Sequence, residues 1–321
     1  MTIGERDSAP NLRITISVLT YRRRDSLAEL LAHLEGLGDA VDEVLVVDNC
    51  SDDGTAELVC SCWPRVRLLR TERNVGVVAR NLGLRTASGE VVVTLDDDIV
   101  GLTRDDLDHL RARFREDPRL GALNFKVLDY FSDTVSNWVH HRPLSDAEGS
   151  FATYEITEGA VAFRKEAVCA VGCYHEAYFI SHEGPDLAFH LMNAGFRVAY
   201  DGAVAVRHKH ERGARHPDRF YYYDTRNQFW LAARNMPPGP ALRYLAIGQL
   251  AMAWYAVRDG RPRPWLRGVR DGLCGLRAAL ATRQPWTSTT AMACREIDRH
   301  RPGFWVTVRK RMFGAANRLE D

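Results

Sequence analysis

The sequence predicts an α/β protein with a doubly wound, mostly parallel sheet, helices on both faces of the sheet, and a helical C-terminal region. Short β-branched runs alternate with segments in which apolar residues recur at helical spacing, and this alternation is typical of βαβ units. One run, Glu90–Leu95 (EVVVTL), is almost continuously apolar. Such a run is expected of a strand covered on both faces, so the sheet must lie between two helical layers.

The first third of the chain alternates strands and helices in a regular order. Arg13–Thr20 (RITISVLT) has the β-branched composition of a core strand, and Asp25–Leu37 carries leucines at helical spacing. The turn and capping residues Asp52-Asp53-Gly54-Thr55 open a helix that extends to Cys62. The remaining strands of this part are predicted at 41–48, 66–70 and 90–95, and the remaining helices at 75–87 and 103–117.

Later in the chain the alternation is less regular. A helix is predicted at 184–194 that ends at Gly195, where a left-handed cap is favoured. From about residue 211 the chain becomes Arg-rich, helical and punctuated by prolines. We therefore expect one domain over residues 1–210, with halves at about 12–100 and 101–210, and a helical region over residues 211–321. Further strands are predicted at 120–128, 154–164 and 196–208, with an irregular segment at 129–150.

The composition is that of a folded protein whose charge is unevenly distributed. Its 321 residues are 45% hydrophobic and 26% charged, which excludes a natively disordered chain. The net charge of +1 hides an asymmetry: residues 1–206 hold 21 Lys and Arg against 33 Asp and Glu, and residues 207–321 hold 22 against 9. The two regions, with net charges of −12 and +13, therefore face different partners or each other.

Several features indicate a cytoplasmic protein. No stretch approaches the roughly 20 apolar residues of a spanning helix, and Met1–Pro10 lacks the apolar segment of a secretory signal. The seven cysteines form no CxxC pair and are expected to be reduced and mostly buried. The basic C-terminal region contains five tryptophans and no nucleic-acid motif. We expect it to pack on the acidic domain or to contact the inner face of the membrane peripherally, with no nucleic-acid partner.

Three consecutive carboxylates, Asp96, Asp97 and Asp98, follow the apolar run. Like charges this close together raise one another's pKa unless a cation neutralises them. In extended backbone Asp96 and Asp98 share a face and can address one ion, and hard oxygen ligands favour Mg²⁺ or Mn²⁺. The alternative is a solvated turn that caps the next helix.

Polar residues also follow other predicted strands, at the edge where doubly wound sheets bind ligands. Thr20-Tyr21 and Asp48-Asn49 end the first two strands, and Asp48 can accept a hydrogen bond from a nucleobase N–H. Arg73-Asn74-Val75-Gly76 and Arg80-Asn81 flank a helix start, where backbone N–H groups and a guanidinium favour a diphosphate. Each has a simpler interpretation, a capping loop for Asp48-Asn49 and a surface position for each arginine.

Four motifs resemble, in order and spacing, the nucleotide-sugar half of family 2 glycosyltransferases, which adopt the glycosyltransferase A fold. They are VLTYRRRDSL, VVDNCSDDGT, RNVGVVARNLGL and ASGEVVVTLDDD. Gly159–Phe179 and His182–His208 are similar to the acceptor half, so the resemblance covers roughly residues 12–210. Tyr221–Pro237 resembles, more weakly, the helical tail of rhamnosyltransferase-like members.

The resemblance implies roles for individual residues. Thr20 and Asp48 match positions that grip the nucleobase, and Asp97 matches one that approaches the ribose. Asp96 and Asp98 are the outer members of the DxD motif, and His208 matches a histidine that completes the metal shell in some members, which implies Mg²⁺ or Mn²⁺ as cofactor. The nucleotide-sugar site is expected to contain Thr20, Tyr21, Arg22, Asp48, Asn49, Asn74, Gly76, Arg80, Asn81, Asp96 and Asp97.

The general base is the point at which the chain departs from the family. Many members place Glu-Asp before the acceptor-side helix, with the second carboxylate as base, but here the pair is Glu183-Gly184. Glycine cannot take a proton, so the role passes to Glu183, to Asp186 or to another residue. Glu183 is the first choice, because a helix N-terminus keeps it ionised, and the adjoining His182 is the first histidine to test.

The resemblance therefore implies an inverting, metal-dependent glycosyltransferase. It would move a sugar from a UDP- or dTDP-linked donor to an acceptor hydroxyl, in cell-envelope glycan or secondary-metabolite glycosylation. One alternative is a non-catalytic nucleotide-sugar-binding homologue in which Gly184 records lost chemistry. A sugar nucleotidyltransferase is disfavoured, because no glycine-rich loop follows the first strand.

Overall fold

The computed structural model describes residues 12–136, 138–139, 141–157, 159–209 and 218–302. The strands are β1 (Ile14–Thr20), β2 (Glu43–Asp48), β3 (Arg67–Arg70), β4 (Val91–Asp96), β5 (Ile99–Val100), β6 (Leu120–Asp129), β7 (Val135–Ser136), β8 (Ser150–Ala152), β9 (Ala160–Arg164) and β10 (Arg197–His208). The helices are α1 (Arg24–Gly36), α2 (Thr55–Cys62), α3 (Arg80–Thr86), α4 (Arg104–Glu116), α5 (Lys165–Ala170), α6 (Glu183–Asn193), α7 (Asp218–Asn235), α8 (Pro238–Arg258), α9 (Pro262–Cys274), α10 (Leu276–Ala281) and α11 (Ser288–Asp298).

The strands form one mixed sheet in the order β3-β2-β1-β4-β9-β6-β10-β5, with β7 beside β6 and β8 beside β10. The first four strands are mutually parallel, β9 runs antiparallel to both of its neighbours, and β6 is parallel to β10. The predicted mixed α/β class with a mostly parallel central sheet is therefore confirmed.

The two faces of β4 pack against different helices, as its continuous apolar sequence predicts. Val91, Val93 and Leu95 belong to a core that contains the leucines of α1 and α4. Val92 belongs to a second core that includes apolar residues of α3, α5 and α6. Because side chains alternate along a strand, both faces of β4 are covered only if helices lie on both sides of the sheet.

Three local predictions require correction. The strand expected at 154–164 begins only at Ala160, because the Asn124 side-chain amide binds the preceding segment: it donates to the Glu155 carbonyl and accepts from the Thr157 N–H. The short elements β8 and α5 were not predicted. The cysteines form no disulfide, but only Cys173 and Cys294 are buried, so the expectation of mostly buried thiols was wrong.

The C-terminal helices pack closely on one another through glycines of α9. An added Cβ at Gly268 would lie 2.7 Å from the Tyr222 carbonyl oxygen, and one at Gly272 would lie 2.5 Å from the Phe229 ring. Trp230 Nε1 donates to the Gly272 carbonyl at 3.1 Å.

The predicted domain boundary near residue 210 and Trp305 lie outside the described residues. No helix in the described part of the chain combines the length and the apolarity needed to cross a bilayer.

We expect Gly268→Ala to destabilise the protein by about 1–3 kcal/mol, because the new methyl group meets backbone that cannot move easily. Gly239→Ala, in α8, is the matched control. No atom of another element lies within 4 Å of a Cβ added at Gly239. The control should be neutral or stabilising by up to about 1 kcal/mol, the difference in helix propensity between alanine and glycine. Thermal unfolding measures both, and equal stabilities would show that α7 and α9 are not packed closely at Gly268.

Candidate active site

Three carboxylates lie at the end of β4, at the edge of the sheet. The strand ends at Asp96, and a turn through Asp97 and Asp98 leads into β5. Asp97 and Asp98 are buried, at 4% and 5% exposure, whereas Asp96 is partly exposed. Buried like charges require compensation, so the groups around these carboxylates determine what this edge can bind.

The antiparallel pairing of β5 with β10 brings His208 to Asp98. Ile99 lies opposite His208, and the backbone N–H of Lys209 donates to the Asp98 carbonyl at 2.8 Å. His208 Nε2 consequently lies 3.1 Å from Asp98 Oδ1. One donor atom from each of Asp96, Asp98 and His208 lies within 4.8 Å of the others. The fold therefore brings together the three predicted metal ligands.

These donors fit a divalent cation. Two carboxylates supply the hard oxygen atoms that Mg²⁺ and Mn²⁺ prefer, and the imidazole of His208 adds a common ligand of transition metals. Burial alone would raise the pKa of Asp98, but the hydrogen bond and charge of His208, together with Arg23, lower it well below its usual value. Asp98 therefore stays ionised, as a metal ligand must.

Arg23, which was not among the predicted site residues, reaches the acidic edge, and the nucleotide-sugar role of Arg22 stays a prediction. Arg23 Nη1 contacts Asp98 and lies 3.3 Å from Asp97 Oδ1. Arg22 instead pairs with the exposed carboxylate of Asp52 at 2.6 Å, and its guanidinium lies 5.3 Å from the centre of the Tyr21 ring. Arg22 has a positive φ of 54°, which turns the chain between the two arginines. Composition alone does not distinguish members of an arginine run, because this backbone turn sets their directions.

Thr20 and Asp97 form a buried pair beside the metal ligands. Thr20 Oγ1 donates to Asp97 Oδ2 at 2.7 Å. Burial and the neighbouring Asp98 carboxylate raise the pKa of Asp97 to about 7, despite this hydrogen bond. Asp97 therefore differs from Asp98 in its electrostatic environment, which is consistent with different predicted roles for the two residues.

Asp96 is oriented by a buried arginine and a glycine. The Arg80 guanidinium contacts Asp96 Oδ1, and Arg80 itself is only 1% exposed. Gly159 has a φ of +95° and leaves room for the Asp96 carboxylate, because an added Cβ would lie 2.4 Å from Asp96 Oδ2. The Asp96 backbone N–H also donates to the Gly159 carbonyl at 3.1 Å. Arg80, predicted to bind a diphosphate, is thus placed against a candidate metal ligand.

The carboxyl end of β2 carries the predicted nucleobase contacts. Asp48 is fully buried and accepts from the Ser51 N–H at 2.8 Å and from Arg70 Nε at 2.9 Å. Asn49 Nδ2 donates to Asn74 Oδ1 at 3.0 Å. These bonds hold the loop after β2 and the loop that contains Asn74 at the edge of the sheet. Thr20 lies next to them, at the end of the adjacent parallel strand.

Gly76 and Asn81 lie close to the segment that precedes α6. An added Cβ at Gly76 would lie 1.9 Å from the Phe179 carbonyl oxygen, to which the Val77 N–H donates at 2.9 Å. Asn81 Nδ2 donates to the Tyr174 carbonyl at 2.7 Å, and Asn81 Oδ1 accepts from the Tyr174 N–H at 2.9 Å. The Asn81 amide is therefore engaged with backbone, and its nucleotide-sugar role stays a prediction.

The two candidate bases lie in the first turn of α6 in different environments. Glu183 is the first residue of α6 and is fully buried. Asp186 accepts from Arg234 Nε at 2.8 Å, from Asn235 Nδ2 at 2.6 Å and from the Tyr178 hydroxyl at 3.3 Å. A guanidinium and two further donors therefore hold the Asp186 carboxylate in place.

Comparison with known proteins agrees with this geometry. Residues 15–174 match Glycosyl transferase family 2. The chain belongs to this family. Its relatives include the poly-β-1,6-N-acetyl-D-glucosamine synthase of Staphylococcus aureus, which is 24% identical over 199 residues, 59% of this chain and 48% of that protein. The chain spans about a quarter to a half of the length of the curated relatives it matches first.

Two solved structures show the same fold. GalNAc-T7, crystallised with UDP, GalNAc and Mn²⁺, superposes with a TM-score of 0.62 at 13% identity, over 93% of this chain and 59% of that one. The mannosyltransferase PcManGT from Pyrobaculum calidifontis, in complex with GDP-Man and Mn²⁺, gives 0.57 at 21% identity, over 97% and 88%. The chain therefore has a glycosyltransferase A fold, as the four motifs predicted.

The C-terminal helices contribute residues to the site that were not predicted. Arg234 and Asn235 bind Asp186, and Asp224 lies next to His182, one residue before Glu183. The segment Tyr221–Pro237 was noticed only for its weak family resemblance. Nothing local in that segment identifies these partners, because their role depends on how α7 packs on α6.

We expect Gly159→Ala to weaken Mn²⁺ binding about tenfold, because the methyl group displaces Asp96, and disturbing the surroundings of a ligand typically has an effect of this size. Gly172→Ala is the matched control: its φ of +93° equals that of Gly159 within a few degrees, but nothing lies within 4 Å of the added Cβ. Both variants should lose about 1–2 kcal/mol of stability. Paramagnetic titration with Mn²⁺ measures the affinity, and equal affinities would contradict the proposed role of Asp96.

Proposed function

We propose that the chain is an inverting, metal-dependent glycosyltransferase that moves a sugar from a UDP- or dTDP-linked donor to an acceptor hydroxyl. The observation that supports this most strongly is the convergence of Asp96, Asp98 and His208 at the edge of a family 2 sheet. The acceptor would belong to cell-envelope glycan or secondary-metabolite glycosylation.

The donor would bind across the carboxyl ends of β1, β2 and β4, where doubly wound sheets bind ligands. Asp48 retains a second lone pair on each oxygen after its bonds to Ser51 and Arg70, and a carboxylate oxygen suits the N3–H that uracil and thymine share. Thr20 would complete the base contact and Asp97 would approach the ribose. The UDP of GalNAc-T7 supports this choice, whereas the GDP-Man of PcManGT makes a guanosine donor the alternative to test.

Asp96, Asp98 and His208 would hold Mg²⁺ or Mn²⁺, which when bound supplies charge neutralisation for the departing diphosphate. The protein groups do the positioning. Arg80 and Gly159 determine the direction of Asp96, and the β5–β10 pairing determines that of His208. Arg23, which contacts Asp98, adds a cation on the same edge.

Glu183 is the proposed general base. It would accept the acceptor's hydroxyl proton while the new bond forms at the anomeric carbon and the bond to the diphosphate breaks on the opposite face, so the configuration inverts. Asp186, the alternative, is held by Arg234 and Asn235, which supports Glu183 by comparison.

We expect Asp98→Ala to lower kcat about 10²–10³-fold, the size of effect seen when an electrostatic group is removed from a transition state. Asp97→Ala should cause a smaller loss that falls mainly on donor KM, because Asp97 is proposed to contact the ribose. The assay measures nucleoside diphosphate release at saturating donor with Mn²⁺, using UDP-glucose, UDP-N-acetylglucosamine, dTDP-rhamnose and GDP-mannose.

The two variants and the wild-type protein separate the outcomes. Equal and mild losses in both variants would contradict a metal role for Asp98. Binding of every nucleotide sugar without turnover by the wild-type protein would favour the non-catalytic homologue. Turnover of GDP-mannose alone would overturn the proposed UDP or dTDP donor.

We further propose that the enzyme is cytoplasmic and contacts the inner face of the membrane through α8, α9 and α10. Among the described residues, nine of twelve exposed large apolar side chains lie in the C-terminal helices. Those of α8 include Leu242 and Leu250, at 72% and 73% exposure. An exposed apolar cluster of this kind marks an interaction surface.

The packing of α9 explains how its apolar and basic side chains come to share one outer face. Gly268 and Gly272 face α7, so the opposite side of the helix points outward. That side carries two exposed leucines, Leu266 and Leu273, and two exposed arginines, Arg263 and Arg270. Arginines that flank apolar side chains on one helix face fit an anionic lipid surface, where each basic residue contributes electrostatically and the leucines insert.

We expect the protein to sediment with vesicles containing phosphatidylglycerol and not with pure phosphatidylcholine vesicles, and to be released by salt, because screening weakens the arginine contribution. Leu250→Glu should lower the bound fraction about tenfold, since an inserted leucine contributes about 1.5–3 kcal/mol. Leu144→Glu, which alters an exposed leucine far from these helices in the chain, is the control. Equal binding by both variants would overturn the proposed surface.

A further inference from the structure

The turn that leads into α6 has an unusual backbone. Ser181 and His182 are consecutive, neither is glycine, and both have positive φ angles of 75° and 69°. Residues other than glycine rarely adopt this backbone conformation. It persists at functional sites only where the surroundings hold it in place. Glu183 follows immediately, so whatever holds this turn also sets the direction of the proposed base.

Helix α7 holds the backbone of the turn. Asn227 Nδ2 donates to the Ile180 carbonyl at 2.8 Å and to the Ser181 carbonyl at 2.7 Å. The Ser181 hydroxyl donates to Asp224 Oδ1 at 3.0 Å. Asn227 is fully buried, so these bonds are shielded from competition with water.

Polar groups of α7 and α8 lie beside the two ring nitrogens of His182. Its Nε2 lies 3.1 Å from Asp224 Oδ1, and the Tyr244 hydroxyl of α8 lies 3.3 Å from its Nδ1. Gln228 Nε2 donates to Asp224 Oδ2 at 2.8 Å, which orients the carboxylate. Burial alone would raise the pKa of Asp224, but the charge and hydrogen bond of His182, with those of Ser181 and Gln228, lower it. An ionised Asp224 is thus available to orient the imidazole.

Contacts from α7 therefore lie on both sides of Glu183 along the chain. Asp224 and Asn227 bind the residues before it, and Arg234 with Asn235 binds Asp186 after it. These contacts on either side of Glu183 leave the first turn of α6 little freedom. Positioning of this kind matters for proton transfer, because a misplacement of about 1 Å can cost about 100-fold in rate.

We propose that Asp224, acting through His182, is a positioning residue for Glu183, so that the C-terminal region completes the active site. The proposal rests on the proposed function, because it takes Glu183 as the base. It assigns Asp224 no contact with substrate.

Two other carboxylates of the C-terminal helices provide controls. Asp259 accepts from the Tyr221 hydroxyl at 2.6 Å, and Asp271 accepts from the Tyr222 hydroxyl at 2.9 Å. Both accept a hydrogen bond from a side chain of α7, but neither pairs with residues 180–186, all of which the structure describes. Asp259→Asn therefore tests the effect of disturbing helix packing while the contacts of the Ser181-His182 turn stay intact.

The test compares Asp224→Ala, Asp224→Asn and Asp259→Asn as full-length proteins. The assay uses whichever of the UDP- and dTDP-hexoses the wild-type protein turns over fastest. We expect Asp224→Ala to lower kcat about 100-fold with donor KM within about twofold. Asp224→Asn, which keeps an acceptor for His182, should recover part of the rate, and Asp259→Asn should match the wild-type protein. Parallel losses in kcat and donor affinity would overturn the proposal in favour of a general structural role.

A second variant makes the result independent of folding losses. If Asp224 acts through the base, Asp224→Asn should cause no further loss in a Glu183→Gln background, because residues that act as a unit are not additive. Additive losses would overturn the proposal while leaving Glu183 as the base. Full turnover by Glu183→Gln alone would overturn the proposed base itself.

Hydrogen exchange tests the same contact without any donor. Peptides covering 178–187 should exchange faster in Asp224→Ala than in Asp259→Asn, because the Asp186 N–H that donates to the His182 carbonyl at 3.1 Å loses its support. Equal exchange in the two variants would overturn the positioning role even if the enzyme proves to be an active glycosyltransferase.

Discussion

The two-residue pairing of β5 with the end of β10 is the contact on which the rest of the site depends. Strand β4 delivers three aspartates to the edge of the sheet, but two carboxylates alone are an incomplete ligand set. The pairing places His208 beside Asp98 and keeps that carboxylate ionised. Arg23 adds a positive charge to the same edge.

Around this edge, glycines allow other groups to approach the backbone closely. Gly159 makes room for Asp96, and Gly76 makes room for the Phe179 carbonyl that joins the donor-side loop to the segment before α6. Asn81 connects the same two parts through Tyr174. The segment that contains Gly76 and Asn81 and the segment before α6 are therefore held together by contacts that tolerate little change in volume, which links the first segment to the position of the proposed base.

The basic C-terminal region has two different surfaces. Its inner surface, on α7, binds the Ser181-His182 turn and Asp186 with polar and charged side chains that are largely buried. Its outer surface, on α8 and α9, exposes leucines and arginines together. Within the described residues, part of the positive charge of this region contacts the strand-bearing part of the chain, as Arg234 contacts Asp186, and part of it faces outward.

The sequence by itself determined the α/β class, the course of most helices and strands, and the acidic edge, because hydrophobic periodicity and residues at strand ends act over a few positions. It also pointed to Glu183, since the family pattern is broken at Gly184. Only the tertiary structure decided that Arg23 and not Arg22 reaches Asp98, that Arg234 holds Asp186, and that Asp224 holds His182. These contacts join residues far apart in the chain, and their geometry depends on backbone turns and helix packing that no local pattern encodes.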